Sequence, residues 1–314
     1  MNYPASVLKN AHKSIKEIRE KNKKISEEKK RRIYSKIPEL YSINSEIAQL
    51  LKSAVGSDFD KEELKNKITS ITQKRKKLLI SNGYNESDLD EIYDCPICQD
   101  EGFVNGEICD CYARIMCREA YRLSNLEEKI KTQNFDTFDI DIFSNKDEMK
   151  KICNYALNYC KEVPSVKNNL LFSGNQGTGK TFLSSCIAKY FLDNKKSVLY
   201  LTAQKLCNIL DDKRFNKDIS YDVSDYYDFI LDCDLLIIDD LGVEFSGTAS
   251  QPMLFDVLET RTSNNKKNVI STNLDMSGLA VKYSLRFTSR IFEDYQILIF
   301  NGEDLRMKKS NISL

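Results

Sequence analysis

Leu170-Leu171-Phe172-Ser173 runs into Gly174-Asn175-Gln176-Gly177-Thr178-Gly179-Lys180-Thr181, and Phe182-Leu183-Ser184-Ser185-Cys186-Ile187-Ala188 follows. The first four residues read as a buried strand and the last seven as a helix, with G-x-x-x-x-G-K-[ST] between them. Glycines let successive backbone N–H groups turn inward around phosphate oxygens. The positive end of the following helix adds to that attraction. Residues Gly174, Asn175, Gln176, Gly177, Thr178, Gly179, Lys180 and Thr181 are therefore expected to cradle ATP. Lys180 is expected to reach the β- and γ-phosphates, and the Thr181 hydroxyl to ligate Mg²⁺.

Short apolar runs recur outward from that loop at 197–202, 235–239, 268–272 and 297–300. Runs apolar throughout predict strands covered on both faces of a parallel sheet. Helical stretches at 181–193 and 252–264 lie between them, which makes residues 126–314 an α/β domain. Leu235-Leu236-Ile237-Ile238 ends in Asp239-Asp240, two carboxylates at the carboxyl end of a strand, where open α/β sheets bind ligands. Asp239 is expected to partner Mg²⁺ and Asp240 to polarise the attacking water. Asn273 closes the strand Val269–Thr272 and could orient that water. Arg286 and Arg290 stand four apart, on one face of a helix. From a neighbouring subunit they would stabilise transition-state charge.

The 314-residue chain is 41% hydrophobic and 30% charged, with no net charge. That balance conceals an asymmetry. Residues 1–90 hold 20 Lys/Arg against 13 Asp/Glu, and the remainder 27 against 34. A basic arm could contact nucleic acid or an acidic partner, or simply be a solvated helical face. Leu8, Ala11, Ile15, Ile18, Ile25 and Ile33 follow a three-four spacing that predicts one apolar helix face, interrupted at Asn22 and Lys29. Further helices are expected over 38–55 and 61–81, with a break at Gly56-Ser57-Asp58. No run of eighteen apolar residues suits a membrane span and no apolar leader opens the chain, so a cytoplasmic location without membrane contact is expected.

Ten cysteines without an export signal argue against disulfides. Cys95, Cys98, Cys109, Cys111 and Cys117 fall within 23 residues. Cys95-Pro96-Ile97-Cys98 and Cys109-Asp110-Cys111 supply four thiolates, enough to close a tetrahedral structural Zn²⁺ site. Cys117 could replace one member of the second pair, and a redox dithiol is the competing reading, though no thioredoxin-like strand precedes Cys95. The one histidine, His12, lies far from the cluster.

Taken in order, these motifs resemble the AAA+ ATPases of the bacterial replicative helicase-loader type, DnaC and DnaI, in the group that includes the IstB transposition ATPases. The resemblance covers residues 90–314. It rests on Asp239-Asp240-Leu241-Gly242-Val243-Glu244, Ser271-Thr272-Asn273-Leu274, Leu285-Arg286-Phe287-Thr288-Ser289-Arg290-Ile291 and Phe300-Asn301-Gly302-Glu303-Asp304-Leu305-Arg306. It implies that Asn273 is sensor 1, Arg290 an arginine finger acting in trans with Arg286 beside it, and Arg306 a sensor-2-like arginine. Asn134-Phe135 and Phe138 would pack against adenine, or be ordinary core aromatics. The chain departs from the wider AAA+ pattern at Asp240, where Glu is usual; the shorter side chain suits a slow, switch-like ATPase. The organisation implied is a helicase-binding helical region (1–90), a zinc module with a connecting helix (91–125) and an AAA+ core (126–314). Its partners would be a replicative DNA helicase, single-stranded DNA and further copies of itself. The alternatives are an IstB-type transposition helper, a non-hydrolysing nucleotide-switched adaptor and a metabolic P-loop kinase, the last lacking an acceptor lid.

Overall fold

The computed structural model describes residues 3–54, 61–123, 132–161, 169–215, 221–244 and 250–306. The chain divides into two compact units, residues 13–109 and residues 1–12 with 110–314. Helix α1 (Ala5–Lys36) contributes residues to both.

Within 13–109, α1 is followed by α2 (Glu39–Ala54) and α3 (Lys61–Ser81), matching the helices expected there. The expected break at 56–58 lies outside the described residues. Ile33, Ile37, Leu40, Leu79 and Leu89 bury together, each contributing about 1.5–3 kcal/mol. The apolar face of α1 that the spacing suggested holds at Ala11, Ile15 and Ile33 but not at Leu8 and Ile25. Leu8 and Ile25 are exposed, whereas Val7, Ala11, Ile15, Asn22, Ser26 and Ile33 are buried. Asn22 does not merely interrupt the seam. Its amide donates to Asp94 Oδ1 and Asp100 Oδ2, both at 2.9 Å, and Ser26 Oγ accepts the Ile92 N–H at 2.9 Å. Lys29 meets Asp88 at 2.9 Å. These polar contacts bind the stretch that opens the cysteine segment to α1. The segment then folds back through the antiparallel ladder β1 (Phe103–Val104) and β2 (Glu107–Ile108).

The other unit holds α4 (Asp110–Arg122), α5 (Lys146–Lys161), β3 (Asn169–Gly174), α6 (Lys180–Asp193), β4 (Val198–Thr202), α7 (Ala203–Phe215) and α8 (Tyr221–Asp232). It continues with β5 (Leu235–Leu241), α9 (Ser250–Ser263), β6 (Lys267–Thr272), α10 (Met276–Lys282), α11 (Leu285–Asp294) and β7 (Tyr295–Phe300). The five strands form one sheet in the order β4-β5-β6-β3-β7, every neighbouring pair parallel. The α/β fold with a parallel sheet expected for a P-loop core is present, each strand within two residues of its expected ends. Strand alternation divides the core. Leu170 and Phe172 pack with Met149, Leu183 and Ile187 on one face, while Leu171 packs with Leu206, Phe229 and Val257 on the other. The chain leaves β3 toward β4 on one side while β7 lies on the other, so a crevice opens at the carboxyl end of β3.

Candidate functional site

The phosphate loop occupies that crevice. Gly174 has φ +151°, and a Cβ there would come 2.2 Å from the Phe300 carbonyl oxygen. Gly177 has φ +72°, and a Cβ would meet the Asp304 carboxylate at 1.8 Å. The Leu305 N–H donates to Gly177 O at 3.0 Å, and Asp304 Oδ1 accepts the Arg306 N–H at 2.9 Å. The segment after β7 is thus braced on the loop, which brings Arg306 beside it.

Lys180 is the first residue of α6 and is buried. Its ammonium donates to Gly174 O and Asn175 O at 2.6 Å each and to Asn273 Oδ1 at 2.9 Å. Burial pushes its pKa down and Arg306 adds to that, while Asp240 and Asp239 pull it up.

Asp239 lies buried at the end of β5. Its carboxylate accepts from the Tyr200 hydroxyl at 2.9 Å, from Thr181 Oγ1 at 3.2 Å and from Ser271 Oγ. Sequence reasoning missed Tyr200 and Ser271. Ser271 stood within the Ser271–Leu274 motif, whereas nothing distinguished Tyr200 from any buried strand tyrosine.

Asp240 follows in a left-handed conformation, φ +58°, where the β5–β6 register shifts. Its N–H donates to Ser271 Oγ at 3.0 Å.

A cavity of about 570 Å³ is lined by Gln176–Thr181, Asp240, Asn273 and Arg306, together with Gln133, Thr137, Phe138, Ile142 and Phe143. That volume and mixture suit a nucleotide-sized ligand. Of the two phenylalanines expected against a base, only Phe138 lines the cavity, stacked 5.6 Å from Phe143. Phe135 packs partly buried against the core instead. Asn134 closes a local turn, accepting the Asp136 N–H at 2.8 Å.

Arg286 and Arg290 are not brought to this cavity. Both are exposed on α11. Arg286 lies over the Phe255 ring at 4.8 Å, and Arg290 meets Glu259 and Glu293 at 3.1 Å each.

Cys95, Cys98, Cys109 and Cys111 place four sulfurs within 4.8 Å of one another. Gln99 and Asp100 take left-handed conformations that turn the chain after Cys98, and the Gly102 N–H points at Cys98 Sγ at 3.3 Å. Asp100, buried, accepts the Cys95 N–H at 2.8 Å and steadies the turn. The donor set fits a four-coordinate thiophilic ion with no open position. Cys117 is outside the set. It lies 3.3 Å from the Tyr3 hydroxyl, and burial pushes its thiol up. Among the described residues, no helix is long and apolar enough to cross a membrane.

Two curated relatives are both named replicative helicase loader DnaC. The protein of Buchnera aphidicola subsp. Baizongia pistaciae is 27% identical over 186 residues, 59% of this chain and 74% of its own length. That of Escherichia coli K12 is 25% identical over 154 residues, 49% of this chain and 62% of its own length. Among solved structures, a DnaC helicase loader aligns with a TM-score of 0.47 at 20% identity, covering 55% of this chain and 99% of that one. A DnaI structure aligns with a TM-score of 0.46 at 24% identity, covering 57% and 93%. The family model described as IstB-like ATP binding protein matches residues 105–311, which takes in the whole sheet and every residue lining the cavity. With well over half of its length matched, the chain belongs to the IstB-like ATP binding protein family.

Proposed function

We propose that the chain is a AAA+ ATPase that helps load a replicative DNA helicase onto single-stranded DNA, using ATP as its switch. One observation carries the ATPase reading: Lys180, Asp240, Asn273 and Arg306 line a single cavity, while Arg286 and Arg290 stand exposed outside it. That separation supports a site completed by a neighbouring copy. The loader reading comes from the relatives' names.

The loop N–H groups and the start of α6 receive the phosphates. Lys180 turns its ammonium from the Gly174 and Asn175 carbonyls toward the β- and γ-oxygens. Magnesium, when bound, neutralises charge across those oxygens, and Thr181 with Asp239 would hold it. Asp240 polarises the attacking water and Asn273 orients it, so that it displaces ADP from the γ-phosphorus. A neighbouring copy's Arg290 must first release Glu259 and Glu293. Exposed pairs of this kind are worth about 0–1 kcal/mol, so release costs little. Turnover is slow, as suits a switch.

Residues 1–90 form the helicase-binding region, 91–125 the zinc module and 126–314 the ATPase core. Cys95, Cys98, Cys109 and Cys111 hold one structural Zn²⁺. The chain works in the cytoplasm as an oligomer, touching DNA through backbone phosphates rather than base sequence.

The full chain should hydrolyse ATP, faster with single-stranded DNA, and Lys180→Ala should abolish turnover. It should also co-purify with the replicative helicase of its host. Turnover without helicase binding would move the reading to the transposition helper; ATP binding without turnover would move it to the switched adaptor. Zinc analysis returning under about half an equivalent per chain would remove the metal.

A further inference from the structure

Glu244 is a buried carboxylate that the nucleotide cavity does not use. Its Oε2 accepts the Gly242 N–H at 2.8 Å. Its Oε1 accepts from the buried Tyr283 hydroxyl and lies 3.3 Å from Lys282 Nζ. Lys282 reaches back and donates to Gly242 O at 2.6 Å. The short stretch after Asp240 is therefore fastened to the connector between α10 and α11.

Both ends of this fastening sit in unusual backbone. On one side are Asp240, φ +58°, and Gly242, φ +104°, where a Cβ would come 2.6 Å from Leu274 Cδ1. On the other is Ser284, φ +142°, in a region that residues with a side chain seldom occupy. Such a residue persists only where its surroundings hold it. Ser284 is held from one direction by Tyr283 and from the other as the cap of α11, its Oγ accepting the Phe287 N–H at 3.2 Å. Arg286 and Arg290 follow on that helix.

Apolar packing of Phe287 and Ile291 already buries α11 against the sheet. That packing is non-directional, whereas hydrogen bonds to a buried carboxylate fix direction. We propose that Glu244, with Tyr283 and Lys282, is a positioning group that sets how α11 presents Arg286 and Arg290, and links that presentation to the Asp240 turn of the same chain. The inference rests on the reading that these arginines complete a neighbour's site, and it adds the residue that aims them.

Mixing experiments separate the two. The control mixes Lys180→Ala chains, which keep their arginines, with Arg290→Ala chains, which keep their nucleotide loop. Restored turnover supports action in trans; no restoration sinks that reading and this inference with it. Glu244→Ala alone should bind a fluorescent ATP analogue within about threefold of wild type and turn over at least roughly tenfold more slowly. Mixed with Lys180→Ala it should recover turnover, and mixed with Arg290→Ala it should not. Tyr283→Phe, which removes one hydroxyl, should show the same pattern more weakly and covers the case in which Glu244→Ala fails to fold. A working control with no rescue of either variant by Lys180→Ala, or wild-type turnover in both variants, overturns the positioning role.

Discussion

Replacing Gly174 by alanine should damage the core and the nucleotide loop at once. Gly174 ends β3 in register with Phe300 of β7. The added Cβ would stand 2.2 Å from the Phe300 carbonyl oxygen and 3.0 Å from its Cβ. The nearest atom is backbone fixed in a ladder, so it cannot swing aside. At φ +151° the conformation alone costs about 1–3 kcal/mol for a residue with a side chain. Relieving the overlap adds about 1–3 kcal/mol. A total of about 2–6 kcal/mol lowers the melting temperature of a unit this size by roughly 5–20 °C. Because Gly174 O also accepts from Lys180, a shifted loop should weaken ATP binding at least about tenfold, about 1.4 kcal/mol. Gly177→Ala gives the comparison. Its Cβ meets the side chain of Asp304, which can rotate away and release the Arg306 N–H. Calorimetry and titration with a fluorescent ATP analogue should therefore rank Gly174→Ala as the less stable of the two, with ATP binding weakened in both. A Gly174→Ala protein that melts no lower than Gly177→Ala would refute the reasoning.

Two further outcomes follow from the carboxylate and the lysine. Tyr200→Phe removes one of three hydroxyl donors to Asp239, so the Mg²⁺ concentration needed for half-maximal turnover should rise severalfold; equilibrium dialysis checks whether affinity for metal-free ATP stays the same. Burial lowers the Lys180 pKa from its ordinary 10.5, so the charged form is disfavoured before nucleotide binds. ATP affinity, measured by titration across the alkaline range, should begin to fall below that value. A folded-state pKa below the unfolded one means the unfolded chain holds the proton longer. Between the two values the nucleotide-free protein should therefore gain stability from this group as pH rises.

What the sequence discloses here is whatever short range settles. The strands stood out because both faces of β3, β5 and β6 are covered, and even the edge strand β7, with Ile299 exposed, keeps an apolar run. The phosphate loop stood out because its spacing is local. Facing and reach are different, since distant partners decide them. Leu8 and Val7 are adjacent and equally apolar, yet only Val7 is buried. Nothing in the sequence sets Arg261, near the end of a helix, apart from a solvated arginine. In fact it is fully buried, donating to the Ile230 and Cys233 carbonyls, to Lys267 O and to Asn268 Oδ1. Phe135 and Phe138 differ by three residues in a stretch without regular structure, where no periodicity shows which one faces the cavity. Arg306 could be placed there only by its company in a motif, because the contact that brings it in, Leu305 to Gly177, spans most of the core.

Asp239 and Asp240 show how much depends on one such long-range detail. In a regular strand successive side chains alternate faces. Ile237 packs on one face of the sheet and Ile238 on the other, so Asp239 follows Ile237 toward Tyr200. A regular continuation would carry Asp240 after Ile238 into the opposite helix layer. The register shift and the left-handed backbone at Asp240 prevent that and turn it to the cavity. Left-handed backbone is tolerated far better by aspartate than by longer acids, since its short carboxylate can bond locally. Aspartate in place of the usual glutamate is thus matched to the turn rather than a defect in reach. Asp240→Glu tests this. The longer acid should cost about 1 kcal/mol at φ +58°, lowering the melting temperature by roughly 2–4 °C, and turnover should not rise. A variant that hydrolyses ATP faster at unchanged stability would mean that the missing methylene, not the backbone, limits the rate.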